Sequence, residues 1–375
     1  AYDSSVTPAA WGTYVLGSAN GGTLWYDLKL LDSSSSSSSD VPAPSQVIAT
    51  FGPYQSTMPA NTTALPNATS VSYPQRQAPV VANVNGTQYA AFLVNAATTT
   101  GSGSSATTTT VSYLYEFNIA TGASTSQAIP ASAIGSSGQY VTSNLFYDAG
   151  SNVLYFGTSD GKVYSMSFSG SASTDVGNIG KLGATEDGQP VQYVGYQQLK
   201  NQPYLWAASS SVITVFGINN LGWSPLWATG PNVAYSYTSS GGTAAWNTLT
   251  SSTSPSPLQA NATISDLPLV VNGVLVVPVY VPPSATAQAC NIAGEGYYDF
   301  FSLASGAFPL NSITQNGKTL TADIDLGQGK AYSPSVSISG TALPLYGSTQ
   351  QTQTPQSPLL FGRSGLNTIV QWRIH

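Results

Sequence analysis

The chain of 375 residues carries one histidine, His375, and one cysteine, Cys290. A Ser-His-Asp relay needs an imidazole held beside the nucleophile, and His375 is the last residue, so that chemistry is all but excluded. Zinc and copper sites draw on several His or Cys ligands and fail on the same count. No Gly-x-x-x-x-Gly-Lys-Ser loop appears, and no Gly-x-Gly-x-x-Gly follows a strand, so no phosphate cradle is expected. Oxygen chemistry remains. Calcium takes carboxylates, amide oxygens and backbone carbonyls, and one turn groups them: Asp148, the carbonyl of Gly150, Ser151 and Asn152. Asp323 and Asp325, in ADIDLGQG, lack the Asp-x-Asp-x-Asp-Gly spacing and read as turn residues. Plain turn chemistry also accounts for the first group, because Asp, Asn and Gly are what turns use. Glu186-Asp187 and Glu295 with Asp299 are candidates for acid–base work, with exposed loop acids as the ordinary alternative. Trp11, Trp25, Trp206, Trp223, Trp227, Trp246 and Trp372 suit packing better than a cofactor stack.

The solvent these residues meet is unusual. Charged residues make up 6% of the chain, against roughly 25% in an ordinary soluble protein. Hydrophobic residues stand at a normal 41%, so Ser, Thr, Gly, Asn and Gln supply the polar surface. Net charge is −6 and no basic run exists, which argues against a nucleic-acid partner. A surface with few carboxylates gains little positive charge as pH falls and escapes much of the repulsion behind acid unfolding. The expectation is an extracellular protein from an acidic habitat, with a generic Ser/Thr-rich secreted protein as the alternative. One cysteine permits no intrachain disulfide. No apolar run reaches the roughly 18 residues of a membrane span, and the chain opens at Ala1 without a signal peptide, as a mature or excised product would. Asn61, Asn67, Asn85 and Asn261 head Asn-x-Thr sequons.

The elements that must position such residues are strands. Asn144 to Gly170 reads as a three-stranded meander: Leu145-Phe146, a turn at Asp148–Asn152, Val153 to Gly157, a turn at Thr158–Gly161, then alternating Lys162 to Phe168. Asp-Gly between two alternating runs is a strong hairpin signal, since Gly takes the positive φ of a twist-matched turn. Looser versions recur: residues 11–32 around Asn20-Gly21-Gly22, 78–96 around Asn85-Gly86, 191–218 around Lys200–Pro203, 266–281 around Asn272-Gly273, and 332–347 around Ser339-Gly340. Three polar stretches, 33–76 (with seven serines at 33–39), 97–109 and 231–262, read as long surface loops. No helical period is sustained. Six such clusters predict an all-β chain, 1–375 forming a single β-propeller domain of about six to seven blades. A two-sheet sandwich and a β-helix are the competing architectures.

Several stretches, in order, resemble the C-terminal propeller of PilY-type type IV pilus factors. ISDLPLVVNGVLVVPVYVPPSATAQACNIAGEGYYDFFSLASG places Ser265, Asp266, Pro268, Pro282, Cys290 and Gly296 as a late blade of that family does. AYSPSVSI and the terminal IVQWRIH resemble the strands that follow, and APVVANVNGTQYAAFLVNA and NLFYDAGSNVLYFGTSDGKVYSMSF resemble two earlier blades. The resemblance implies a pilus-tip and pilus-assembly protein that works with minor pilins and adheres to abiotic or host surfaces. It also implies a calcium loop at Asp148, Gly150 and Asn152, although the family's middle acids are missing here. The family's von Willebrand A-like N-terminal region is absent too, which implies a C-terminal piece or a ring completed by a partner. The expected function is thus a non-catalytic, cell-surface binding platform at the pilus tip, with no certain cofactor beyond possible calcium. A propeller enzyme, either quinoprotein-like or tetrathionate-hydrolase-like, is the alternative, and a secreted structural protein is a third.

Overall fold

In a computed structural model, described residues are 2–3, 10–19, 24–32, 46–52, 62–74, 79–220, 222–240, 243–249, 255–283, 293–310, 312–336, 342–349 and 359–362. The chain is all-β. Among the described residues six sheets follow one another in chain order, and the one α-helix has five residues, Ala172–Val176. Sheet one contains Tyr2–Asp3, Ala10–Ala19, Leu24–Asp32, Gln46–Gly52 and Thr62–Ala64, with the last two paired parallel. Sheet two runs Ser124–Ala128, Thr107–Asn118, Thr87–Thr100, Ser70–Ser72, with Val80–Val84 also on Thr87–Thr100. Sheet three runs Phe146–Asp148, Val153–Gly157, Lys162–Ser167, Gly180–Ala184. Sheet four has six strands: Tyr193–Leu199, Gln202–Ala208, Ile213–Asn219, Gly222–Gly230, Val233–Ser240 and Thr243–Leu249. Sheet five joins Thr263–Ile264 and Leu269–Val271 to Val274–Val281, then Glu295–Ser302 and Ile324–Gln328. Sheet six runs Lys318–Thr319, Ile313–Gln315, Leu359–Gly362, Ala342–Tyr346, Ser335–Val336.

Turn chemistry sets the register. Asn85-Gly86, Asn272-Gly273 and Asn316-Gly317 each take positive φ at both residues (51° and 86°, 51° and 77°, 51° and 75°). That is the two-residue turn whose twist matches the flanking strands. Lys200-Asn201 adopts it too, at 47° and 66°, so Gln202 and Pro203, expected in the turn, instead open the next strand opposite Leu199 and Gln198. Gly161, with φ 74°, closes the expected hairpin, Gly157 facing Val163. Cys290, His375, Trp372, the serine run and the Asn20–Gly22 and Ser339-Gly340 turns lie outside the described residues.

Three expected loops contain strands. Within 33–76, Gln46–Gly52, Thr62–Ala64 and Ser70–Ser72 are strands. Alternate residues Ala49 and Phe51 of QVIATFG are buried, a two-residue period hidden by polar flanks. Residues 97–109 are the tips of Thr87–Thr100 and Thr107–Asn118, joined by a short 3-10 turn at Gly103–Ser105. Threonine is β-branched and suits a wet strand, and Thr99 Oγ1 meets Thr108 Oγ1 across the pair at 2.9 Å. Within 231–262, Val233–Ser240 and Thr243–Leu249 form a hairpin that extends sheet four.

The chain forms two compact units, Ala1–Lys181 and Leu182–His375. In the first, Phe51, Phe92, Tyr115 and Phe117 pack edge-to-face and stacked, with Phe92 directly opposite Tyr115 at 5.2 Å. A second cluster gathers Leu93, Leu114, Leu154, Phe156, Tyr164 and Met166. The second unit packs Trp206, Val215, Trp227, Leu275, Val277 and Phe301 in one cluster and Val276, Tyr298, Phe300, Leu326, Leu345 and Phe361 in another. Gly195 faces Trp206, whose indole occupies the space a Cβ would need. Central strands are covered on both faces, as Val274 to Val279 show by unbroken burial.

Several polar groups inside these layers pair with side chains and backbone groups of neighbouring segments. Ser112 Oγ donates to Asn95 Oδ1 at 2.6 Å, Asn95 Nδ2 donates to the Val141 carbonyl at 2.8 Å, and the Val141 amide donates back to Ser112 Oγ at 2.8 Å. In the second unit Ser265 Oγ donates to the Ala331 carbonyl at 2.6 Å, the Ser333 amide to Asp266 Oδ2 at 3.0 Å, and Ser333 Oγ to the Leu267 carbonyl at 2.7 Å. Ser112→Ala orphans a buried amide and a buried Asn and is expected to cost about 1–3 kcal/mol in denaturant unfolding. Ser105→Ala, on the exposed turn, is expected to stay within about 0.5 kcal/mol.

Candidate functional site

The Asp148 turn folds as its residue types demand. Asp148 ends the strand Phe146–Asp148. Its Oδ1 accepts the Gly150 amide at 2.9 Å and its Oδ2 accepts Ser151 Oγ at 2.6 Å. Asn152 takes φ 54°, and its Oδ1 accepts the Tyr147 hydroxyl. Asp148, Gly150 and Asn152 thus share one turn, as expected, but both carboxylate oxygens serve that turn's own donors. Among the described residues no three His, Cys, Asp or Glu side chains gather as a metal group.

The acids proposed from Glu295 and Asp299 separate. Both lie on Glu295–Ser302, yet Glu295 Oε2 accepts the Tyr297 hydroxyl. That bond, then burial, keeps Tyr297 protonated well above its usual range. Asp299 is fully buried; Oδ2 accepts the Gln259 amide at 3.2 Å, and Oδ1 has no hydrogen-bond partner. Its electrostatic neighbour is Asp323, half-buried, whose Oδ1 accepts the Phe300 amide at 3.1 Å. Burial first, then the charge on Asp323, pushes Asp299 far above the carboxylate range, and burial lifts Asp323 to about 6. Asp325, read with Asp323 from the sequence, is exposed and accepts the Gly327 amide at 2.8 Å.

Glu186 and Asp187 occupy a different setting. They follow the strand Gly180–Ala184. The Glu186 amide donates to Thr214 Oγ1 at 3.0 Å, and Asp187 accepts Ser209 Oγ at 2.5 Å and the Gln189 amide at 3.2 Å. Burial, and then the Asp187 charge, raises Glu186 above its ordinary range. Both carboxylates lie close enough to Tyr235 to raise its hydroxyl, after burial has done so. Tyr235 begins an aromatic ladder. Tyr237 stands directly opposite Trp246 on the hairpin, with ring centroids 4.9 Å apart and planes at 68°. Tyr235, two residues away on the same face, lies 6.5 Å from Trp246 at 72°. On the opposite face Asn247 Nδ2 donates to Thr238 Oγ1 at 2.8 Å. Three half-buried rings beside two carboxylates can stack on an amphipathic ring and accept hydrogen bonds from its hydroxyls. The AYSYT…AAWNT alternation across Gly241-Gly242 was the available signal for this face.

No protein-family model and no characterised protein sequence matches the chain. Solved structures share distant similarity. A DUF4623 family protein from Bacteroides eggerthii aligns at TM-score 0.34 and 14% identity over 75% of this chain and 57% of its own. Raptor from Chaetomium thermophilum aligns at TM-score 0.39 and 11% identity over 94% of this chain and 26% of its own. BamB from Moraxella catarrhalis aligns at TM-score 0.25 and 11% identity over 78% of this chain and 88% of its own. The chain therefore spans little more than half of the DUF4623 protein and about a quarter of Raptor.

Asp148→Ala removes two hydrogen bonds from the 148–152 turn and is expected to lower stability by about 1–3 kcal/mol. Thermal unfolding in calcium and in chelator is expected to give the same loss. A loss confined to the calcium-loaded protein would assign the carboxylate to an ion.

Proposed function

We propose that the protein is a non-catalytic binding platform exposed at the cell surface, of the pilus-tip type, with its six meanders as blades of a β-propeller. The observation that carries the binding reading is the aromatic face Tyr235–Trp246–Tyr237 beside Glu186 and Asp187. The occupant that suits it is a neutral polysaccharide. Sugar C–H faces stack on aromatic rings, and sugar hydroxyls donate to carboxylates and to Thr and Asn oxygens. The pilus-tip assignment is supported by the order of the PilY-like stretches, and minor pilins are the partners it brings. An extracellular, acidic setting is supported by the charge content of 6%. Asp299, one of the acid–base candidates, is closed off from solvent. Calcium would find a single carboxylate, Asp148, in the 148–152 turn, and the platform does not depend on it.

Retention of the full chain on an insoluble neutral polysaccharide tests the platform. Trp246→Ala is expected to weaken retention about tenfold, the equivalent of about 1.4 kcal/mol, without lowering the unfolding midpoint by more than about 1 kcal/mol. Retention by the variant equal to that of the natural chain would remove the site. Deletion of the protein from its host is expected to reduce piliation, twitching and attachment, and unchanged behaviour in all three would end the pilus-tip reading. Purified protein is expected to turn over no alcohol, sugar or tetrathionate substrate.

A further inference from the structure

Two core carboxyl groups play no part in the binding face, and one lies in each unit. Glu116, in the strand Thr107–Asn118, is 1% exposed, and neither of its oxygens has a hydrogen-bond partner. Across from it, on the helix Ala172–Val176, lies Asp175, which is fully buried and within hydrogen-bonding reach. Asp175 already accepts Ser167 Oγ at 2.9 Å and the Ser169 amide at 2.7 Å. No positive charge enters from the packed strands: Thr87–Thr100 places Ala91 opposite Glu116, Ser124–Ala128 places Thr125, and Lys162–Ser167 contributes Ser167. Two facing carboxylates have no donor between them, and a buried unpaired charge is costly. A proton on Glu116, donated to Asp175, satisfies both.

The second unit repeats the arrangement with Asp299 and Asp323. Val277, on Val274–Val281, stands opposite Asp299, and the 256–259 segment contributes only the Gln259 amide. The other titratable groups nearby are Glu295, Tyr297 and Asp325, and none of them is a cation. Asp299 Oδ1 is the buried oxygen left without a partner.

We propose that these pairs are proton locks: each unit folds around a carboxyl group that must keep its proton, so the fold is held in acid and released by base. This inference is independent of the surface-binding reading. The sign follows from linkage. Glu116 is pushed up to about 9 by burial first and then by Asp175, whereas its ordinary value is 4.5. Between those values the folded state keeps a proton that the unfolded state has lost, so stability falls as pH rises, by about tenfold in the folding constant per pH unit. Asp299 acts in the same direction from 3.8 upward, and Asp323 adds a shorter window from 3.8 to about 6. Stability is complete below the ordinary carboxyl values and is lost as pH climbs through the raised ones. Most salt-bridged carboxylates behave in the opposite way. Asp160, lowered by its bonds to Lys162 and Thr158 against the pull of burial, is of that kind here.

Denaturant unfolding of the full chain from pH 3 to pH 9 tests the proposal, on the natural sequence and on Glu116→Gln and Asp299→Asn. The natural chain is expected to unfold most reluctantly near pH 4, with Glu116 alone lowering its folding constant on the order of a thousandfold between pH 5 and pH 8 and Asp299 lowering it further. Each amide variant keeps a donor toward its partner but has no proton to lose. Each is expected to flatten the decline, and Glu116→Gln is expected to be more stable than the natural chain at pH 8. A natural chain whose stability is level or rises from pH 5 to pH 8 overturns the proposal, as do variants that decline as steeply as the natural chain. Should a variant not fold, the infrared spectrum of the natural protein at pH 7 decides. A protonated-carboxyl C=O band that vanishes only on alkaline unfolding is expected, and its absence overturns the proposal.

Discussion

Strands covered on both faces, in a chain with almost no charge to spend, are the constraint from which the rest follows. A strand such as Val274–Val281 has no wet side over most of its length. Any polar atom near it must find a partner inside the layer. With 6% charged residues, that partner is nearly always a hydroxyl, an amide or a backbone group. The Asn95–Ser112–Val141 ring and the Ser265–Ala331 and Ser333–Leu267 links are the outcome. They fix loops to layers where another protein would use an ion pair, and they are indifferent to pH.

The same scarcity sorts the acids. A carboxyl group in such a core has no cation to neutralise it and is compatible with the fold only as the protonated member of a pair. Glu116 with Asp175 and Asp299 with Asp323 meet that condition. Other acids are engaged by local donors: Asp148 in its turn, Asp187 against Ser209, Asp160 beside Lys162. Asp148 lies near Tyr147, Asp160 near Tyr164, and Asp187, with Glu186, near Tyr235. The proposed surface recognition and the proposed core protonation are separate uses of a small supply of carboxylates.

The hairpin 233–249 extends a layer beyond its core. Sheet four buries Trp206, Val215 and Trp227 on its inner strands, and of its fifth and sixth strands only Ala234 is buried among the described residues. Beyond Gly230 the chain keeps pairing, and period-two alternation puts Tyr235, Tyr237 and Trp246 on one face. Cross-strand aromatic contacts at 4.9 Å stabilise a ribbon with little buried surface of its own.

By itself the sequence determined the strand class and the tight turns. These are local matters: Asn-Gly sets positive φ within two residues, and alternation is read over six. The meander from Phe146 to Ser167 was legible for that reason. Polar strands were not, because Thr98 to Thr109 has no apolar period and the short Tyr-Ser-Tyr alternation within Val233 to Leu249 sits in a polar stretch, and only a partner strand shows that their backbone groups are paired. The acid partnerships were hidden more deeply. Glu295 and Asp299 look like a pair at four residues' spacing and share a strand face, but Glu295 sits at the strand's half-buried end and Asp299 in its covered middle. Asp299 meets Asp323 across a sheet, and Glu116 meets Asp175 from a five-residue helix. Which carboxyl groups face each other, and whether water can reach them, depends on long-range packing, and the tertiary structure alone decided it.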